Sequence, residues 1–213
     1  NAQGGIIAGR DVSLTALTGD VINERSVTRH EVNFGKRHEV QDFVDSAARI
    51  EAANSLSIVA GRDVANRGAV LASGGDLSIN AGRDVTFASV EERVSQARGK
   101  SYLNERVTQF GAQASAGRDL EISAGRDLSA IASQLDARRE LAMEAGGDVL
   151  MASAANESHF LSKSKKVIRQ TDHVDQQATT LSAGGDVYVG AEGNLILSAS
   201  KIAAGDEAYL VAG

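Results

Sequence analysis

Short apolar stretches recur along the chain, and within them apolar and polar residues alternate. Leu77-Ser78-Ile79 and Val187-Tyr188-Val189 show this period of two, which is typical of half-buried β-strands. The stretches are too short and too often interrupted by glycine to form stable helices. The pattern therefore predicts an all-β chain built from short strands.

The strand pattern repeats at a fixed interval. Leu56-Ser57-Ile58 returns 21 residues later as Leu77-Ser78-Ile79, and Leu120-Glu121-Ile122 returns 21 residues later as Leu141-Ala142-Met143. A unit of this length cannot bury an apolar face alone, whereas stacked copies can. We therefore predict a right-handed parallel β-helix with 21-residue coils. Residues 1–213 are expected to form a single segment of a much larger exported protein.

The motif Gly-x-Asp followed by Val or Leu stands between the predicted strands. Glycine adopts positive φ without steric cost, and the aspartate is expected to accept backbone N–H groups at the corner. The candidate structural corners are Gly61, Asp63, Gly82, Asp84, Gly125, Asp127, Gly147, Asp148, Gly185 and Asp186.

A second period of 64 residues lies on top of the first. Asp20, Asp84 and Asp148 are 64 residues apart, and a charged segment that breaks the coil pattern follows each of them. These inserted arms cover approximately residues 22–46, 88–113 and 152–180. Insertions in solenoids usually emerge on one face, so the three arms are expected on the same side of the stalk.

The internal structure of the arms admits two interpretations. Gly35-Lys36 and Gly99-Lys100 stand at the middle of their arms and favour the tips of β-hairpins, whereas Val90, Val94 and Ala97 have near-helical spacing. Hairpins are the preferred prediction and helical arms the alternative. The candidate contact residues of the arms are Arg29, Lys36, Arg98, Lys100, Lys163, Lys165 and Lys166.

The composition of the chain argues against several kinds of site and partner. The chain has no Pro and no Cys, and its formal net charge is −6. The missing proline suits stacked strands that need every backbone N–H, and the missing cysteine excludes a disulfide scaffold or a thiolate metal site. The negative charge argues against a nucleic-acid partner. The four histidines all lie in the arms without metal-ligand spacing, so no metal or cofactor is expected.

An enzymatic role is not expected. Nearly every coil carboxylate repeats in register, and a residue repeated in every coil serves the coil rather than one active site. No nucleophile or phosphate-binding motif is present either. A carbohydrate-active or carbohydrate-binding β-helix module is the alternative function, because β-helices can carry such sites.

The stretches Leu181 to Val187 and Ser162 to Lys166 resemble the haemagglutinin repeats of the filamentous haemagglutinin family. That family includes two-partner-secreted adhesins and the effector proteins of contact-dependent growth inhibition. The resemblance implies a secreted or bacterial cell-surface stalk with an adhesive role, which aids the delivery of an effector to target cells. It also implies two partners, an outer-membrane secretion transporter of the two-partner type and a target-cell surface or membrane.

Overall fold

The computed structural model describes all residues from Asn1 to Gly213 and contains 26 strands and no helix. In three of the sheets the strands are parallel, and successive coils stack along one axis. In the fourth sheet the strands are antiparallel. The predicted parallel β-helix is therefore confirmed. Because no helix is present, no helix is long and apolar enough to cross a membrane.

Each of the first six coils contributes one strand to each parallel sheet, and the last coil contributes a strand to the first two sheets only. The first coil sheet contains β1 (Ile6–Gly9), β6 (Arg49–Ala52), β9 (Val70–Ser73), β14 (Gln113–Ala116), β17 (Gln134–Ala137), β22 (Thr180–Ala183) and β25 (Lys201–Ala203). The second contains β2 (Val12–Ala16), β7 (Leu56–Ala60), β10 (Leu77–Ala81), β15 (Leu120–Ala124), β18 (Leu141–Ala145), β23 (Val187–Ala191) and β26 (Ala208–Ala212). The third contains β3 (Val21–Glu24), β8 (Val64–Arg67), β11 (Val85–Ala88), β16 (Leu128–Ile131), β19 (Val149–Ala152) and β24 (Leu195–Leu197).

The antiparallel sheet, called the arm sheet below, is made of the three insertions. Its strands are β4 (Val27–Phe34), β5 (Arg37–Val44), β12 (Val90–Arg98), β13 (Tyr102–Phe110), β20 (Ala154–Lys163) and β21 (Ile168–Gln177). All six lie within the predicted arm ranges, and each arm is a hairpin. The alternative of helical arms is wrong, because each arm consists of two paired antiparallel strands and contains no helix.

The register of the coils explains the 21-residue repeat. Leu77 pairs with Leu56 on one side and with Leu120 on the other, so identical side chains stack in files along the interior. Leu56, Leu77 and Leu120 are each about 1% exposed and belong to one continuous core of 32 buried residues. This register keeps each apolar residue facing inward, because a shift of the strand pairing by one residue would turn it outward.

The aspartates of the corners bind the next coil. The Oδ1 atom of Asp63 accepts the backbone N–H of Asp84 at 3.3 Å, and Asp84 in turn accepts that of Asp127 at 3.3 Å. Arg83 reaches back to Asp63 with Nε and Nη2 at 3.0 and 2.6 Å. The expectation that these carboxylates cap their own corners was therefore wrong, because they fasten consecutive coils together.

The arginines also set the ionisation of this ladder. Hydrogen bonds from Arg83 and Arg126 lower the pKa of Asp63 and Asp84, against the opposing effect of desolvation. The carboxylates thus stay charged in the folded state, and the stacked negative charges are offset by an arginine in each of these corners.

The corner glycines are required for a different reason from the one predicted. The glycines with positive φ are not candidate corners; they are Gly4, Gly35, Gly68 and Gly99. The candidate corner glycines have no positive φ; they are Gly61, Gly82, Gly125, Gly147 and Gly185.

Close stacking of the coils explains their identity. A Cβ atom built on Gly82 or Gly125 would lie 2.5 Å from the carbonyl oxygen of the glycine one coil below. Glycine is therefore needed at these two corners because the backbones approach closely, rather than because of an unusual dihedral angle.

Two buried asparagines lie in the core at the corner where the arms emerge. The repeat pattern of the sequence does not predict them. Nδ2 of Asn23 donates to Oδ1 of Asn66 at 2.8 Å, and Nδ2 of Asn66 donates to the carbonyl oxygen of Ala69 at 3.0 Å. Both residues are about 1–2% exposed, and every buried side-chain polar atom has a partner. The pair thus ties the third coil sheet to the turn that leads into the first.

Candidate functional site: the arm sheet

The three hairpins leave the stalk at the same corner, between the third and first coil sheets. They follow β3, β11 and β19, which belong to the first, third and fifth coils. The intervening coils pass the same corner with two residues, Gly68-Ala69 and Ala132-Ser133. The expectation of three arms on one side is therefore met, with one arm in every second coil.

This spacing lets the hairpins join. Two coils advance the stalk by about 9.6 Å, and the two strands of one hairpin occupy the same width at about 4.8 Å per strand. Consecutive hairpins therefore meet edge to edge. β5 pairs with β12 and β13 pairs with β20, both antiparallel, so the order across the arm sheet is β4-β5-β12-β13-β20-β21.

The sheet stands apart from the stalk. Its strands contact one another extensively, whereas none of them packs extensively on a coil strand. Both faces are accordingly open over much of their area. Antiparallel sheets commonly cover at least one face, so a single open layer on a rigid support is the feature of this fold that most needs a functional explanation.

The first joint between arms contains a buried carboxylate. Asp42 on β5 accepts hydrogen bonds from Nε and Nη2 of Arg29 at 2.7 Å each, and from the backbone N–H of Arg93 on β12 at 3.0 Å. Its side chain is fully buried. The Arg29 guanidinium holds the pKa of Asp42 below its usual range. Asp42 therefore bridges the first and second arms as an anion.

The base of the first arm is anchored by Arg25. Its Nε atom donates to the carbonyl oxygen of Gly68 at 2.8 Å, and its guanidinium lies 4.8 Å from the centre of the Phe110 ring at the end of β13. Partial burial lowers the pKa of Arg25. The Arg25 side chain thus connects the first arm, the second arm and a coil corner that has no insertion.

The third arm holds a histidine between two carboxylates. Nδ1 of His159 lies 2.9 Å from Asp172 across the hairpin, and Nε2 lies 3.1 Å from Glu157 on the same strand. In the register of the sheet, Glu105 on β13 is the neighbour of His159 on its other side. Hydrogen bonds to Asp172 and Glu157 raise the pKa of His159. No group of three or more histidine, aspartate or glutamate side chains is placed to hold a metal ion.

The candidate contact residues fall into two places. The tip rim, defined here as residues 34–37, 98–102 and 162–169, collects six of them: Lys36, Arg98, Lys100, Lys163, Lys165 and Lys166. Backbone hydrogen bonds join the tips, from Gly99 to Lys36 at 2.8 Å and from Lys163 to Ser101 at 2.8 Å. Arg29 does not join them, because it lies nearer the base and is bound to Asp42.

Aromatic side chains lie on one face of the sheet. Phe34, Arg98 and Tyr102 stand in one row across the strands, and residues an even number apart along a strand share a face. By this rule the face contains all five aromatic residues of the arms: Phe34, Phe43, Tyr102, Phe110 and Phe160. The spacing along the strands could have revealed this from the sequence, but only once the register between the arms was known.

A solenoid with one hairpin in every second coil and a shared arm sheet defines a class of protein, the repeat stalk with regular side insertions. The family model described as Hemagglutinin repeat matches residues 11–102 and 93–168, which together cover most of the chain. The chain belongs to the Hemagglutinin repeat family.

A relative supports this assignment. The chain is 32% identical over 222 aligned residues to the protein named tRNA nuclease CdiA from Escherichia coli strain STEC_O31. The alignment covers 98% of this chain but only 6% of that protein. The similarity therefore concerns one short segment of a very long protein. No solved structure matches this chain.

Proposed function

We propose that this chain is a stalk segment of a secreted or cell-surface bacterial exoprotein and that its arm sheet is the contact surface. The stalk holds the sheet in place through the stacked core and the aspartate ladders. The observation that carries this proposal is that all three insertions emerge at one corner and merge into one open sheet. In repeat proteins, insertions that emerge on one face often form the binding face.

The relationship to the growth-inhibition effector adds the larger setting. The stalk is exported with the help of an outer-membrane secretion transporter of the two-partner type, and it aids delivery of an effector to the target cell. This chain itself acts structurally and is not a catalyst, because its repeated carboxylates are engaged in coil-to-coil ladders. The nuclease named in the relative lies in a protein of which this chain matches a small part.

An armless variant tests the assignment of contact to the arm sheet. Residues 25–47, 89–111 and 153–178 are each replaced by one glycine, which copies the native corner Gly68-Ala69. Circular dichroism should still show a strand-rich protein. Binding of the fluorescent chain to Gram-negative cells, measured by flow cytometry, should fall at least tenfold. Equal binding by the folded armless variant would show that the coils make the contact.

Carbohydrate binding is a second candidate, and it is favoured by the single aromatic face. Aromatic rings on a flat sheet can stack on sugar rings, and T-shaped packing of Tyr102 on Phe160 at 6.1 Å orients two of them. A glycan array with the unmodified chain and Tyr102→Ser tests this function. Binding of a glycan that the variant loses would support it, and an empty array would exclude it for the glycans tested.

A further inference from the structure

The tip rim is the most strongly charged region of the molecule. It contains eight cations, namely Lys36, Arg37, Arg98, Lys100, Lys163, Lys165, Lys166 and Arg169, and no Asp or Glu. The chain as a whole has 28 acidic and 22 basic residues. More than a third of the positive charge is therefore concentrated at one edge of a protein that is negative overall.

Most of these cations have no carboxylate partner. Arg37 pairs with Glu39 at 2.6 Å, and Arg98 lies 6.0 Å from the centre of the Tyr102 ring, but the lysines of the rim take part in no ion pair. All eight cations are exposed. The register places Arg37 beside Arg98 on adjacent strands. Repulsion between neighbouring cations is unfavourable, so the arrangement is better suited to an anionic partner than to stability.

Exposed apolar side chains accompany the cations. Phe34 is 80% exposed, Val167 is 52% exposed and Ile168 is 62% exposed, and each stands within two residues of a rim cation. Cations interspersed with exposed apolar side chains are suited to the boundary between lipid headgroups and acyl chains. A soluble polyanion would not require the apolar members.

The shape of the rim also points to an extended partner. The rim cations on strands extend from Arg37 on β5 to Arg169 on β21, and these four strand spacings, at about 4.8 Å each, separate them by about 19 Å. The rim is the free end of a single-layered sheet, so it offers no enclosed space for a small phosphate compound. It can instead contact many separate headgroups at once.

We propose that the tip rim docks onto a membrane surface rich in anionic lipid headgroups. The eight cations bind the headgroup phosphates, while Phe34, Val167 and Ile168 enter the headgroup layer. This inference rests on the proposed function of the arm sheet as the contact surface and names the class of its partner.

Vesicle co-sedimentation tests the proposal with the full chain. Vesicles of phosphatidylcholine with 30% phosphatidylglycerol are compared with pure phosphatidylcholine at low and at high salt. The chain should bind the anionic vesicles at low salt and leave them at high salt, because screening weakens the attraction. Equal binding to the neutral vesicles would overturn the electrostatic assignment.

A matched pair of variants locates the binding surface. The rim variant Lys36→Gln/Lys100→Gln/Lys165→Gln and the stalk variant Arg10→Gln/Arg138→Gln/Lys201→Gln each remove three unpaired cations. Each cation near an anionic surface changes the partition constant about fivefold. The rim variant should therefore lose about 100-fold in partitioning onto the anionic vesicles, while the stalk variant changes much less. Equal losses in the two variants would overturn the proposal.

Three further measurements separate the alternatives. Phe34→Ser/Val167→Ser should also weaken vesicle binding, and unchanged binding would remove the apolar part of the proposal. Binding of duplex DNA as tightly as anionic vesicles would show a general preference for polyanions and overturn the lipid assignment. If the rim variant retains its binding to cells while the armless variant loses it, the lipid proposal fails and the arm sheet remains the contact surface.

Discussion

The coils and the arm sheet are built from the same chain by opposite means. In the coils, parallel strands stack identical residues in files and enclose an apolar core, and corner aspartates bind the next coil. In the arm sheet, antiparallel hairpins meet at their edges in one open layer with few buried side chains. Stability is therefore concentrated in the stalk, while the arm sheet presents the exposed cations of the tip rim.

The largest expected difference between the two regions concerns apolar side chains. Leu120 is about 1% exposed and Val32 on β4 is 54% exposed. Leu120→Ala should lower the free energy of unfolding by about 2–5 kcal/mol, because it leaves a cavity in the core. Val32→Ala should change it by less than about 0.5 kcal/mol. Urea denaturation followed by circular dichroism measures both, and comparable losses would contradict the division between stalk and arm sheet.

The corner glycines should give the next largest effect. Gly125→Ala places a Cβ atom 2.5 Å from the carbonyl oxygen of Gly82, whereas a Cβ atom on Gly19 would have nothing within 4 Å. We expect Gly125→Ala to cost about 1–3 kcal/mol through overpacking, with Gly19→Ala nearly neutral. Thermal denaturation compares them, and an unchanged midpoint for Gly125→Ala would mean that the coils accommodate a side chain there.

The joint between the first two arms offers a local test. Asp42→Ala leaves Arg29 and the backbone N–H of Arg93 without their acceptor, at a cost of about 1–3 kcal/mol. Hydrogen exchange should accelerate in β4 and β5 and stay unchanged in the coils. Asp45→Ala is the control, because its side chain is exposed and makes no hydrogen bond. Faster exchange in the coils of Asp42→Ala would show that the arm joint supports the stalk.

The smallest expected effect is a pH dependence of the third arm. The folded-state pKa of His159 is raised by Asp172 and Glu157. Its stabilising contribution is therefore fully present below about pH 6.5, the ordinary histidine value, and is lost as pH rises through the raised folded value.

Tryptic cleavage at Arg169 should accordingly be faster at pH 8.5 than at pH 6, after correction for trypsin activity with an unstructured peptide. His159→Gln should remove that dependence. If the variant and the unmodified chain respond identically to pH, His159 does not stabilise the hairpin.

The sequence predicted the coils well because their physical cause is local and repeated. The recurrence of Leu56 at Leu77 and of Leu120 at Leu141 contains both the strand period and the coil length. The arms were also locatable, since charged residues break the repeat at a second fixed period. The family assignment followed from the same repeated motifs.

The contacts between different coils and between different arms could not be predicted from the sequence. Pairing of β5 with β12 depends on the match between the rise of two coils and the width of one hairpin, which no single segment contains. The aspartate ladders and the glycine contacts likewise lie between residues a whole coil or more apart. The burial of Asp42 and the common face of the aromatic residues follow only from that pairing.

The central claim is that three hairpins form one cooperative sheet on a more stable stalk. Hydrogen–deuterium exchange of the unmodified chain tests it most directly. The coils should exchange slowest, β12 and β13 inside the arm sheet should be intermediate, and the outer strands β4 and β21 should exchange fastest. Three hairpins that exchange alike, with β12 and β13 no slower than β4 and β21, would contradict a joined sheet.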